Sequence, residues 1–141
     1  MMESIRVNNM KTLICSLLLV ALFTGCSSPK TVAQMQGAGT AQVFTADYNR
    51  VWSAAVAASQ MGDLYILQVD KTHGFISAKR GLRPETFGEN VAIWVRGTAP
   101  NQTQVEVVSR QAGPPVLVLR NWEQRILTSI QANLTTEITR N

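Results

Sequence analysis

A run of twelve residues near the start, Thr12 to Phe23 (TLICSLLLVALF), constrains this chain more than any other feature, because ten of the twelve are apolar. At 1.5 Å per residue a helix of that length covers about 18 Å, well short of the roughly 30 Å of hydrocarbon that a span must cross. Arg6 and Lys11 precede the run, and Thr24-Gly25-Cys26 followed by Ser27-Ser28-Pro29-Lys30 ends it. A positive end, an apolar middle and small residues before a polar stretch form the layout of a secretory signal peptide. Residues 1–25 are therefore expected to be a removable targeting segment; read from Met10 it is a compact one. The run also inflates the apolar fraction, 45% of 141 residues, so the remainder reads as one ordinary domain.

Leu22-Phe23-Thr24-Gly25-Cys26 resembles the lipobox of bacterial lipoproteins, in which a small residue and then Gly or Ala precede a cysteine. Phe23 stands where leucine is usual, with Leu22 one place further out. The resemblance implies a diacylglyceryl thioether on Cys26, cleavage between Gly25 and Cys26, and acylation of the new amino terminus. This covalent lipid stands in for a cofactor, and membrane lipid is the first expected partner. At about 0.8 kcal/mol per buried methylene, two acyl chains suffice for stable anchoring. In the lipoproteins it resembles, aspartate directly after the acylated cysteine favours inner-membrane retention, whereas Ser27 stands here. The implied location is the outer membrane, facing the periplasm; the inner membrane and the cell surface are the alternatives.

Two of the thirteen basic residues and one of the nine acidic ones lie in residues 1–25, which leaves a balance of +3. So mild a charge does not mark a nucleic-acid binder. Residues 26–39 comprise the cysteine and SSPKTVAQMQGAG, a stretch without hydrophobic period that ends in Gly37-Ala38-Gly39. It reads as a flexible tether, able to reach about 45 Å when extended. Residues 40–141 then form a single domain.

Ala41-Gln42-Val43-Phe44 is a short β-prone run, and Thr45 or Asp47 can cap the helix that follows. Tyr48, Val51, Trp52, Ala55 and Ala58 recur at three- and four-residue spacing, and Gly62 supplies a left-handed stop. Leu64 to Val69 and Phe75 to Lys79 form a hairpin around Asp70-Lys71-Thr72-His73-Gly74. Val91, Ile93 and Val95 alternate inward, as do Val105 and Val107, with Pro100-Asn101 at the turn between them. After Pro114-Pro115 a further strand-prone run, Val116 to Leu119, precedes Asn121 and Gln124, which resemble a capping box. Ile126, Leu127, Ile130, Leu134 and Ile138 form the apolar face of the closing helix. The order is β-α-β-β-β-β-α: an α+β two-layer sandwich, an antiparallel meander with two helices on one face.

This order, with the run from Trp52 through Gly62, Asp70, Gly74 and Ile76 into two alternating strands, resembles the small helix-grip domains of envelope lipoproteins. These include the domains of a lipoprotein component of the outer-membrane barrel-assembly machine and several uncharacterised lipoprotein families. The resemblance covers about residues 40–138 and implies no catalytic residue.

The chemistry-bearing residues are few. One histidine and two cysteines, Cys15 and Cys26, exclude a multi-ligand zinc site, an iron–sulfur cluster and a disulfide scaffold, so no metal is expected. His73 lies in a turn with Asp70 three residues before it, and no G-x-S-x-G supplies a nucleophile elbow. Glu85 and Glu89 share a loop with Arg83, Pro84 and Gly88, which reads as solvated rather than as a glycosidase pair. No catalytic residue is assigned. Lys79, Arg80 and Arg83 form the densest basic cluster, with Phe87 beside it. Trp94, out of phase with Ile93 and Val95, belongs on the sheet's other face. These five residues form the expected contact surface. The reading is a non-catalytic, periplasm-facing lipoprotein, an interaction or assembly accessory module for an envelope protein. A passive surface lipoprotein and an envelope hydrolase are the alternatives.

Overall fold

Alternation in the longest strand sets the architecture. Val91, Ile93 and Val95 point to one face and are buried, while Ala92 and Trp94 point to the other. A sheet built around such a strand requires cover on both sides. The structure, a computed structural model, describes residues 27–84, 87–114 and 121–140, the last four by backbone alone. Its elements are α1 (Pro29–Ala33), β1 (Thr40–Phe44), α2 (Tyr48–Ala58), β2 (Leu64–Asp70), β3 (Phe75–Arg80), β4 (Glu89–Ala99), β5 (Gln102–Gln111) and α3 (Trp122–Arg140).

The five strands form one antiparallel sheet in the order β1-β5-β4-β3-β2. The fold is α+β, as the order of sequence patterns requires. Three hairpins run from β2 to β5, and β1 returns to the outer side of β5, with Thr40 opposite Val107 and Phe44 opposite Thr103. β2 forms the opposite edge and carries a bulge between Ile66 and Gln68.

Helices α2 and α3 lie on the same face. Asp47 starts α2 by accepting the Asn49 and Arg50 amides at 3.0 and 3.1 Å. Asn121 starts α3 by accepting the Gln124 amide at 3.0 Å. Val51, Trp52 and Ala55 from α2 meet Ile126, Leu127 and Ile130 from α3 over Ile76, Val91, Ile93, Val105 and Val107 of the sheet. Ala54, Ala55 and Ala58 are buried and small, which lets α2 approach closely.

The β2–β3 turn is pressed onto β4 at Gly74. Its φ is +63°, and a Cβ there would lie 2.2 Å from the Val95 carbonyl oxygen. Glycine is required on both counts. The Val95 amide donates to the Gly74 carbonyl at 2.8 Å, which fixes the turn over the sheet.

Two expectations change. Residues 27–39 are not a free tether: they hold α1 and pack on the sheet face opposite α2 and α3, so that face is not simply solvated. Glu89 belongs to β4 rather than to the preceding loop, because it is in phase with Val91 and Ile93. The strand expected at Ala41 to Phe44 is a full member of the sheet. Glu85, the run Val116 to Leu119 and the side chain of Ile138 lie outside the described residues.

Ile130 is fully buried in the middle of α3 and Thr128 is exposed. Ile130→Ala is expected to cost about 2–5 kcal/mol, the range for emptying a core site. Thr128→Ala should stay within about 0.5 kcal/mol. Urea midpoints of the two variants check this, and equal midpoints would mean that the buried face of α3 is misplaced.

Candidate functional site

The outer face of the sheet carries two of the residues expected at a contact surface, Trp94 and Lys79. Its floor is the row Asn90, Ala92, Trp94 and Arg96 of β4, flanked by Lys79, Ser77 and Phe75 of β3 and by Arg110, Val108, Glu106 and Gln104 of β5. The amino-terminal segment lies along this floor.

That segment is held at several points. The Ser27 hydroxyl donates to the Gln111 carbonyl, and the Asn90 side-chain amide donates to the Ser27 carbonyl at 3.2 Å. Ser28 caps α1 by accepting the Thr31 amide at 3.2 Å, with Pro29 in the first turn. Val32 is fully buried against Ala92 and Val108, with Met35, Phe75 and Trp94 around them. The Gly37 and Gly39 amides both donate to Glu106 Oε1, at 2.6 and 3.2 Å. At Gly39 a Cβ would lie 2.1 Å from the Val107 carbonyl oxygen, so the backbone passes too close to β5 for any other residue. A helix of five residues with one buried side chain has no period to read, which is why the sequence pattern missed it.

Trp94 lies on the outer face as its phase requires, but it is half-buried rather than free. Its ring meets Phe75 with centroids 5.6 Å apart and planes at 50°, and the segment carrying Val32 and Met35 covers it. The exposed part borders two open clefts of about 350 and 360 Å³ that share Gln36, Trp94 and Arg96. Gly37, Gln104 and Glu106 complete one cleft, and Tyr48 and the turn Lys71 to Gly74 line the other.

The basic cluster separates. Arg80 is 4% exposed and lies in phase with Ile76 and Ala78 on the helix face, its guanidinium 5.9 Å from the centre of the Trp122 ring. It is not a surface contact, which corrects that expectation: strand alternation turns it inward, opposite Glu89. Burial pushes the Glu89 carboxyl above its ordinary range, and the charge of Arg80 opposes that rise. Lys79, one residue earlier, faces outward opposite Asn90. Arg83 stays 48% exposed and holds Asp63 Oδ1 at 2.7 Å, while Arg80 reaches Asp63 Oδ2 at 3.5 Å. Phe87 is 44% exposed and lies against Gly113, where a Cβ would meet its own Cβ at 2.6 Å. Five strand positions therefore separate Trp94 from Glu89 at the loop end, and the expected surface is not one patch.

His73 is exposed in the β2–β3 turn, with Nδ1 2.7 Å from Asp70 Oδ2. The His73 backbone amide, and then its ring, hold the Asp70 carboxyl below its ordinary range. Every acid with a described side chain has such a structural duty. Asp47 caps α2, Asp63 pairs Arg83, Asp70 fixes the turn and Glu89 faces Arg80. Glu106 holds the glycine amides, and Glu123 accepts from Thr40 Oγ1 at 2.6 Å and from the Ser109 amide at 3.0 Å. Among the described residues no group of three His, Cys, Asp or Glu converges as metal ligands do. Gly25 and Cys26 lie outside the described residues.

No family model and no curated protein matches the chain. Among solved structures, an uncharacterised protein from Bacillus thuringiensis is similar at 12% identity and a TM-score of 0.43, over 69% of this chain and 91% of that one. The di-domain ARO/CYC StfQ of the steffimycin biosynthetic pathway is similar at 9% identity and a TM-score of 0.39, over 69% of this chain and 43% of that one. A conserved protein from Geobacillus kaustophilus is similar at 12% identity and a TM-score of 0.34, over 71% of this chain and 93% of that one. At these scores the likeness carries nothing about function.

Val32→Asp would place a charge between Ala92 and Val108, where an unpaired charge is not tolerated. The segment is then expected to lift from the sheet, and trypsin to cut after the exposed Lys30 much faster than in the parent. Mass analysis of early digests reads this; equal rates at Lys30 would mean that the segment is already free.

Proposed function

We propose that this chain is a bacterial envelope lipoprotein, anchored through an acylated Cys26 in the outer membrane and facing the periplasm, with a non-catalytic domain that serves as an interaction or assembly accessory module. The observation that carries the reading is the sequence Leu22 to Cys26, a lipobox-like run that ends a twelve-residue apolar segment too short to span. Directly after it, Ser27 is hydrogen-bonded to β4 and β5. A lipid on Cys26 would thus join the domain with almost no slack, and the docked segment replaces the long reach of a tether.

The placement of the acids supports a role without chemistry. General acid–base work needs a carboxyl or imidazole free to face a substrate, and the six described carboxylates each hold a cap, a turn, a cation or a backbone amide. A hydrolase reading would have to build on His73, the one histidine, which is exposed in a turn with Nδ1 2.7 Å from Asp70 Oδ2.

Docking of a protein partner is best supported at the β2 edge. β2 ends the strand order, so among the described residues one side of its backbone is not paired with a strand, and Tyr65, Leu67 and Val69 are each close to half exposed along it. An apolar edge of this kind accepts an added strand from another chain. The bulge at Ile66/Gln68 limits the length that can pair.

Cys26→Ser tests the anchor. The variant is expected to accumulate as a precursor longer by the 25 residues before Cys26, to take up no labelled palmitate and to fractionate differently from the parent. Normal processing and fractionation would contradict the lipoprotein reading. In the lipidated parent, a photocrosslinker at Tyr65 should give a discrete adduct in intact cells that Leu67→Lys abolishes. A crosslinker at Asn101 should give none.

A further inference from the structure

Ser27 marks the point where the anchor meets the fold. It is bound to Asn90 at the start of β4 and to Gln111 at the end of β5. Cys26 directly precedes Ser27 in the chain, so a lipid anchor there would join the domain at one end of the sheet, the end where β3 leaves and β4 enters.

The same end presents the most exposed large apolar side chain among the described residues. Gly81 and Gly88 close the base of the β3–β4 connection: a Cβ on Gly88 would lie 2.6 Å from the Arg80 carbonyl oxygen and 3.3 Å from that of Gly81. Leu82 follows Gly81 and stands clear of the fold, and Phe87, before Gly88, rests in part on Gly113. Leu82 is 77% exposed and Phe87 44% exposed. The Ala112 amide donates to the Gly88 carbonyl at 3.1 Å, which ties this connection to the strand end that holds Ser27. Lys79 faces outward opposite Asn90, the residue that binds Ser27, and Arg83 is half-exposed beside Leu82.

Two exposed apolar side chains, the outward-facing Lys79 and the proposed anchor at one pole have the composition of a membrane-interface contact, Arg83 being paired with Asp63. Apolar groups enter the headgroup and acyl boundary by about 5–10 Å, and cations meet lipid phosphates. Resting on the lipoprotein reading above, we infer that the β3–β4 pole is the membrane-facing end of the domain. Leu82 and Phe87 enter an anionic phospholipid leaflet around the acylated Cys26, and Lys79 lies at its phosphates. The β4–β5 turn at Pro100-Asn101, at the opposite end of β4, then points away from the membrane and leaves the β2 edge accessible.

The experiment uses the lipidated protein in vesicles of phosphatidylethanolamine and phosphatidylglycerol with brominated acyl chains. Its mature chain carries no cysteine besides Cys26. Leu82→Cys, Phe87→Cys and Asn101→Cys therefore each add a single thiol for an environment-sensitive fluorophore. Labels at positions 82 and 87 are expected to lose emission to the bromine atoms, and the label at position 101 to keep it. Leu82 stands clear of the fold, so its variant decides the matter if Phe87→Cys disturbs the contact with Gly113. Labels at 82 and 87 that behave like the label at 101, with palmitate present on Cys26, would overturn the membrane pole and leave the lipoprotein reading intact. Shielding at 82 and 87 only in native envelopes, not in pure lipid, would place a protein there and overturn the lipid assignment. Absence of palmitate would overturn both.

Discussion

Burial of β4 on both faces is the constraint from which the rest of the molecule follows. Inward, Val91, Ile93 and Val95 require α2 and α3; outward, Ala92, with Val108 beside it, requires a second cover. The segment directly after the lipobox-like run supplies that cover. Val32 fills the gap over Ala92 and Val108, and its exposure is nil. A segment expected to hold the domain off the membrane is thereby part of the domain.

Val32 alone does not hold the segment in place. Fixing each backbone residue costs about 1–2 kcal/mol, whereas burying one valine side chain returns only about 1.5–3 kcal/mol. Polar contacts at both ends make the difference. Ser27 is bound at Asn90 and Gln111, and the Glu106 carboxylate accepts two amides near Gly37, a charge-assisted arrangement stronger than a neutral hydrogen bond. Gly39 lets the backbone pass within contact of Val107 before β1 begins. The docked segment also explains why Trp94 is half-buried and why the clefts beside it are bounded by Gln36 and Gly37.

The long periodic elements were legible because many residues repeat the same signal. Alternation at 91, 93 and 95 placed β4, the spacing of Val51, Trp52, Ala55 and Ala58 placed α2, and Asp47 and Asn121 marked two helix starts. Element α1 was hidden because one buried valine carries no period. Arg80 and Glu89 were misplaced for a different reason: their charge suggested solvent, although extending the alternation of Ile76 and Ala78, and of Val91 and Ile93, turns both inward and opposite each other. Phase outweighs charge type when a charged residue continues a buried row and finds an opposite partner. The bulge in β2 left no mark in composition. It follows from Leu67, an extra residue that shifts the register between Ile66 and Gln68.

The central claim is that residues 27–39 are part of the folded domain. Hydrogen exchange of the Gly37 and Gly39 amides, resolved by residue, tests it most directly, because both donate to Glu106 only when the segment lies on the sheet. A docked segment requires both amides to exchange far more slowly than in an unstructured peptide, and Glu106→Gln to speed both. Exchange at unstructured-peptide rates in the parent would contradict the claim and restore a free tether between the lipid and the domain.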